Sequence, residues 1–114
     1  MDLKRVGSVI EIKADQIEHY RELHANQWDS ITSALSKACL SNYSIYLRQL
    51  PDKKYYLFSY FEYTGTNFEQ DMALLGDNAD VQAWWDICKP MHLPFSDRAE
   101  GEWWASMDEV FHQD

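Results

Sequence analysis

Apolar residues recur along the chain with two periods, and the switches between them divide it into elements. From Arg5 to Ile12 the period is two. Val6, Ile10 and Ile12 fall on one face and Val9 and Glu11 on the other, as in a strand. Asp15 followed by Glu18 has the spacing of a capping box. Behind it, Ile17, Tyr20, His24, Trp28, Ile31, Leu35 and Ala38 follow at steps of three and four. This pattern predicts one helix with all seven residues on a single face.

A second strand is predicted from Asn42 to Leu47, with Tyr43, Ile45 and Leu47 on one side and Asn42, Ser44 and Tyr46 on the other. A third runs from Tyr55 to Tyr63, and Pro51-Asp52-Lys53 supplies a hairpin turn between the two. The third strand is apolar or aromatic on both faces, whereas an antiparallel sheet with one solvated face alternates with polar residues. Helices can cover one face, and the economical cover for the other is the sheet of an identical subunit. Helical signals return at Phe68–Leu75 behind Asn67 and at Val81–Lys89 behind Asp80, both good cap residues. Pro90 and Pro94 then interrupt the regularity, and Glu109-Val110-Phe111-His112 reads as a short last strand. The order β-α-β-β-α-β, with its second helical region split, is the plan of a ferredoxin-like antiparallel sheet with helices on one face. The expected fold class is therefore α+β, and the two-faced sheet points to a dimeric α+β barrel.

Length and charge narrow the function. The 114 residues fit one domain, 1–114, with no repeat, linker or low-complexity tract. Ten Lys and Arg against 19 Asp and Glu leave a net charge of −9, which disfavours nucleic acid and anionic membranes as partners. Nothing approaches the run of about 20 apolar residues that a membrane span needs. The N-terminus lacks the apolar core of a signal peptide, and Cys39 and Cys88 read as two free thiols. A cytoplasmic location is expected. Five Trp and seven Tyr provide flat apolar faces with polar tips.

His24 leads the candidates for chemistry, because imidazole exchanges protons near neutrality. Tyr20, four residues earlier, projects from the same side. The same pair also reads as a buried histidine hydrogen-bonded to a tyrosine for packing. Trp84-Trp85 reads either as two core anchors or as a stacking surface for the C–H face of a sugar. Trp103-Trp104 admits the same two readings, with a lid or rim as the functional one. Tyr43 reads as core or as ligand. His19, His24, His92 and His112 lack metal-ligand spacing, and neither a glycine-rich phosphate loop nor a nucleophile elbow is present. No metal or cofactor is expected.

The ordered set Tyr20-Arg-Glu-Leu-His24, Trp28, Asn42-Tyr43-Ser-Ile-Tyr46-Leu47, Gln82-Ala-Trp84-Trp85 and Met107-Asp-Glu109-Val110-Phe111 resembles the L-rhamnose mutarotase family over nearly the whole chain. The resemblance implies a cofactor-free dimeric α+β barrel that interconverts the α and β anomers of a 6-deoxyhexose. Residue by residue, it places the proton donor on His24, substrate-binding tyrosines on Tyr20 and Tyr43, and the paired tryptophans on Trp84 and Trp85. Asp29 stands where many relatives have proline, and Asp86–His92 and Glu100–Trp104 also depart from the common pattern. These departures bear on the sugar more than on the reaction, so L-fucose is the alternative to L-rhamnose. On this reading His24 protonates the ring oxygen as general acid and recovers the proton on closure, with a homodimer as the working form. A cofactor-free monooxygenase of the same architecture and a non-catalytic sugar-binding module are the rival expectations.

Overall fold

A computed structural model of the chain describes residues 3–114. Its elements in chain order are β1 (Lys4–Ile12), α1 (Ile17–Ala25), α2 (Asp29–Lys37), β2 (Leu40–Gln49), β3 (Tyr55–Tyr63), α3 (Phe68–Asp77), α4 (Ala79–Cys88), β4 (His92–Leu93) and β5 (Ala105–Met107). The strands form one antiparallel sheet in the order β2-β3-β1-β4, and β5 pairs with β1 beyond β4. Glu11 and Ile12 pair with Leu93 and His92, while Gly7, Ser8 and Val9 pair with Met107, Ser106 and Ala105. The last ferredoxin-like strand is thus divided into two short pieces, with residues 94–104 looping out between them.

Helices cover one face of the sheet. Ile10 and Ile12 are fully buried there, packed with Tyr20, Ile31, Leu57, Val81 and Trp84. A bulge decides which side of β2 joins this core. Ser41 opposes Glu62 and Ser44 opposes Tyr60, so β2 advances three residues where β3 moves back two. One extra residue exchanges the faces of everything beyond it. Asn42 takes it up with φ +49 and donates to Glu62 at 2.6 Å. Tyr43, Ile45 and Leu47 therefore share the inner side with Leu40, the grouping expected from the sequence, and Tyr46 points outward, 65% exposed.

Four expectations are corrected. The single helix from Ile17 to Ala38 is two helices, separated at Asn26–Trp28. The Asn26 side chain donates to the Glu22 carbonyl at 3.0 Å, competing for a turn the helix would otherwise continue. Trp28 is extended (φ −61, ψ 138), and its carbonyl accepts from Ile31 and Thr32 to start α2. Ile17, Tyr20, Ile31, Leu35 and Ala38 of the stripe nonetheless pack in or against the core, while His24 and the more exposed Trp28 meet Trp84. Asp15 lies inside a 3-10 turn, Ala14–Gln16, and makes no cap hydrogen bond, so the capping box does not form. For α4 the cap is Asn78, whose side chain accepts from Asp80 at 2.9 Å and Val81 at 3.1 Å; Asp80 lies in the first turn. The last strand is β5, not Glu109–His112; that tail runs without sheet pairing and leaves Val110 and Phe111 exposed. Asn67 does cap α3, accepting from Gln70. No helix among the described residues is long and apolar enough to cross a membrane.

Candidate active site

A cavity of about 920 Å³ opens between the helices and the inner face of the sheet. Its walls come from α1 (Tyr20, His24), β2 (Tyr43), α4 (Trp84, Trp85) and the segment after α4 (His92, Trp103, Trp104). All five residues expected from the sequence to form the site lie on this one cavity.

Spacing of four on α1 stacks the Tyr20 and His24 rings at 4.2 Å and 25°. The Nδ1 of His24 lies 2.9 Å from the backbone oxygen of Tyr20. A carbonyl can only accept, so Nδ1 carries the proton, and in neutral His24 the Nε2 nitrogen keeps its lone pair. Burial pulls the imidazole pKa below its ordinary value, against an opposing push from that hydrogen bond. His24 is therefore neutral at neutral pH, with a basic nitrogen free. Burial raises the Tyr20 phenol strongly, so it stays protonated.

The tryptophan pair divides between core and rim, as neighbouring helix positions pointing about 100° apart require. Trp84 is buried and meets His24 edge-on at 5.4 Å and Trp28 at 5.1 Å. Trp85 is half-buried, with the Lys89 ammonium 5.0 Å from its ring centre. Tyr43 tilts against Phe61 at 5.2 Å. It keeps 41% of its surface open, while protein crowding around its hydroxyl raises the phenol pKa. Cys88 packs beneath with its thiol pushed up to about 11 by burial, an unreactive core group.

His92 is the residue that sequence reasoning missed. Pairing with Ile12 brings it to the end of β1, and Lys13 N–H binds the Met91 carbonyl at 2.9 Å to hold the segment there. Its Nε2 lies 3.3 Å from the Tyr20 hydroxyl, and its Nδ1 receives the Trp103 indole N–H at 3.0 Å. Trp104 meets the same ring edge-on at 5.4 Å. The only local signal was Pro90 and Pro94 bracketing a short extended stretch, and nothing local joins position 92 to position 20. Residues 94–104 form a loop whose Gly101, Trp103 and Trp104 make one rim of the cavity. Arg98 ties the rim by donating to the carbonyls of Glu102 at 2.7 Å and Phe95 at 2.8 Å, and Gly101 turns it with φ +84. Among the described residues, no three His, Cys, Asp or Glu side chains converge as a cation site.

A neutral imidazole and a phenol side by side, in a cavity walled by indoles, suit proton transfer on a neutral, hydroxyl-rich molecule. Fold and site together define a small α+β protein with an imidazole and a phenol on the wall of one aromatic-lined cavity. A sequence model described as L-rhamnose mutarotase matches residues 5–113. The chain is 28% identical over 112 residues to the L-rhamnose mutarotase of Oceanobacillus iheyensis, covering 98% of this chain and all of that one. It is 31% identical over 112 residues to that of Bacteroides thetaiotaomicron, with the same coverage. The crystal structure of an L-rhamnose mutarotase from Formosa agariphila superposes with a TM-score of 0.72 at 22% identity, covering 97% of this chain and 99% of the other. The chain belongs to the L-rhamnose mutarotase family, isomerases that act at the anomeric carbon of a sugar. The monooxygenase alternative falls away with that membership.

Proposed function

We propose that the chain interconverts the α and β anomers of L-rhamnose with His24 as its proton carrier, acting in the cytoplasm as a homodimer. The observation that carries the reading is the state of His24: Nδ1–H committed to a backbone carbonyl, Nε2 free, and the ring half-buried on the cavity wall. That tautomer reverses the order expected from the sequence. His24 begins as the base and takes the proton of the anomeric hydroxyl. The bond between the anomeric carbon and the ring oxygen breaks with its electron pair going to that oxygen, which takes a proton from solvent. Closure on the other face of the carbonyl runs the same steps backwards, with the imidazolium returning its proton. A positioned general base is worth roughly 10²–10⁴ in rate. Tyr20 and Tyr43 offer hydroxyls to the sugar, and Trp84 and Trp85 offer ring faces and edges to its apolar side, the C6 methyl included.

The relatives' names favour L-rhamnose, and anomer exchange measured by saturation-transfer NMR tests it directly. Exchange of L-rhamnose well above the buffer rate, and above L-fucose, is expected. Faster exchange of L-fucose would reassign the sugar, and saturable binding without faster exchange would make the chain a binding module.

The outer face of the sheet supports the homodimer. By register it carries Val9, Phe58, Tyr60, Tyr46, Leu93 and Met107, with Tyr46, Leu93 and Met107 65%, 41% and 42% exposed. An apolar face of this kind on a two-layer fold calls for a partner layer. Light scattering should give twice the 13.5 kDa chain mass, and Phe58→Glu should give the single mass. A monomeric wild type would overturn this part. Two unpaired cysteines fit a reducing compartment.

A further inference from the structure

The hydrogen bonds behind Tyr20 have a direction. Indole nitrogen can only donate, so the Nδ1 of His92, 3.0 Å from Trp103 Nε1, must be the bare nitrogen of that ring. In neutral His92 the proton then sits on Nε2, which faces the Tyr20 hydroxyl at 3.3 Å. With a donor on that side, the Tyr20 oxygen accepts, and its own proton is left to point elsewhere. Its oxygen is the tip of a side chain that lines the cavity. We propose that His92, held in one tautomer by Trp103, is a positioning residue that turns the Tyr20 hydroxyl proton into the cavity, where it donates to an oxygen of the bound sugar.

The surroundings keep this direction fixed. Burial, His24 and the Lys89 ammonium together push the His92 pKa down to about 4, so the ring is neutral at neutral pH. A protonated Nδ1 would meet the indole N–H donor to donor. The Tyr20 phenol remains protonated, so it always has a proton to direct. Trp103 is itself held, with Lys89 and Arg98 at 5.3 and 5.8 Å from its ring centre and Arg98 bonded to the carbonyls of the rim. The rim over the cavity is thereby coupled to the hydroxyl on its wall. Were His92 to present a bare nitrogen instead, Tyr20 would spend its proton on the histidine and offer the sugar only an acceptor.

This rests on the reading of the cavity as the sugar site, and its tests separate the two. Nitrogen NMR of the histidine rings should show His92 with unprotonated Nδ1 and protonated Nε2, and Trp103→Phe should release it into a tautomer mixture. That measurement needs no turnover, so it stands even if the chain exchanges no sugar. In the anomer-exchange assay, His92→Phe should slow kcat/KM by roughly threefold to tenfold, what one misdirected hydrogen bond is worth. His92→Gln, which can place an amide donor toward Tyr20, should recover most of it. In a Tyr20→Phe background, His92→Phe should cost nothing further, because the group it acts through is gone. Protonated Nδ1 in the wild type, or an undiminished His92→Phe effect without the Tyr20 hydroxyl, would overturn the proposal. A His92→Phe protein that fails to fold leaves the tautomer measurement, with the His92→Gln and Trp103→Phe comparisons, to decide it.

Discussion

Acidification should destabilise the fold through His92 in a way that one substitution removes. The side chain is 7% exposed, and its pKa falls from 6.5 to about 4 on folding. Between those values the unfolded chain binds the proton and the folded one does not, so stability rises with pH there and is lost as pH falls from 6.5 toward 4. The full difference is about 3 kcal/mol at 1.36 kcal/mol for each pH unit, and about 1 kcal/mol of it is gone by pH 5.5. Against a total stability of about 5–15 kcal/mol this is a large fraction. Urea melts at pH 7.5 and 5.5, at one fixed protein concentration, measure it for wild type and for His92→Phe. The substitution leaves the Trp103 N–H without its acceptor at both pH values, and that constant cost cancels in the comparison. So do charged groups remote from His92. The wild type should lose about 1 kcal/mol more than the variant between the two pH values, a midpoint difference of about 0.3–1 M urea at typical slopes. Equal losses in the two proteins would show that His92 does not stay neutral on folding, and would refute the account of its burial.

Two further predictions concern how the scaffold holds the site. Ile10→Ala, at a fully buried position in the core, should cost about 2–5 kcal/mol in the same melts. Asn78→Ala removes the oxygen that caps α4 through Asp80 and Val81, at a cost of about 1 kcal/mol. Because α4 carries Trp84 and Trp85, this variant should also raise the KM for sugar more than it lowers kcat. Unchanged KM in Asn78→Ala would mean that the tryptophan pair is placed by packing alone.

Periodicity made the repeating parts legible. The strand Tyr55–Tyr63 is as the apolar spacing predicts, and Ile17, Tyr20, Ile31, Leu35 and Ala38 of the stripe pack in or against the core, because burial against one sheet dictates both. The Tyr20 and His24 pair could be read from a spacing of four, since helix geometry alone brings such residues together. What escaped depends on choices that periodicity does not encode. Asn26 ends α1 inside an unbroken stripe, and Asn78 takes the cap that Asp80 could equally have supplied; in both cases one short polar side chain decides between two local hydrogen-bond patterns. The tail Glu109–His112 has the composition of a strand but is not paired with one, and β1 is met by Ala105–Met107 instead. His92 was invisible for a different reason. Its partners are Tyr20, 72 positions away, and Trp103, on the far side of a proline-flanked loop, so only the folded chain brings the three together.

The central claim is that His24 carries the proton. Saturation-transfer NMR of L-rhamnose anomers, with wild type and His24→Ala at equal folded concentration and pH 7.5, tests it most directly. The free Nε2 predicts that exchange falls by roughly 10²–10⁴ in the variant, and that wild-type exchange declines only as pH drops below the ordinary imidazole range, following the depressed pKa. Undiminished exchange by folded His24→Ala would contradict the assignment and move the proton transfer to another group on the cavity.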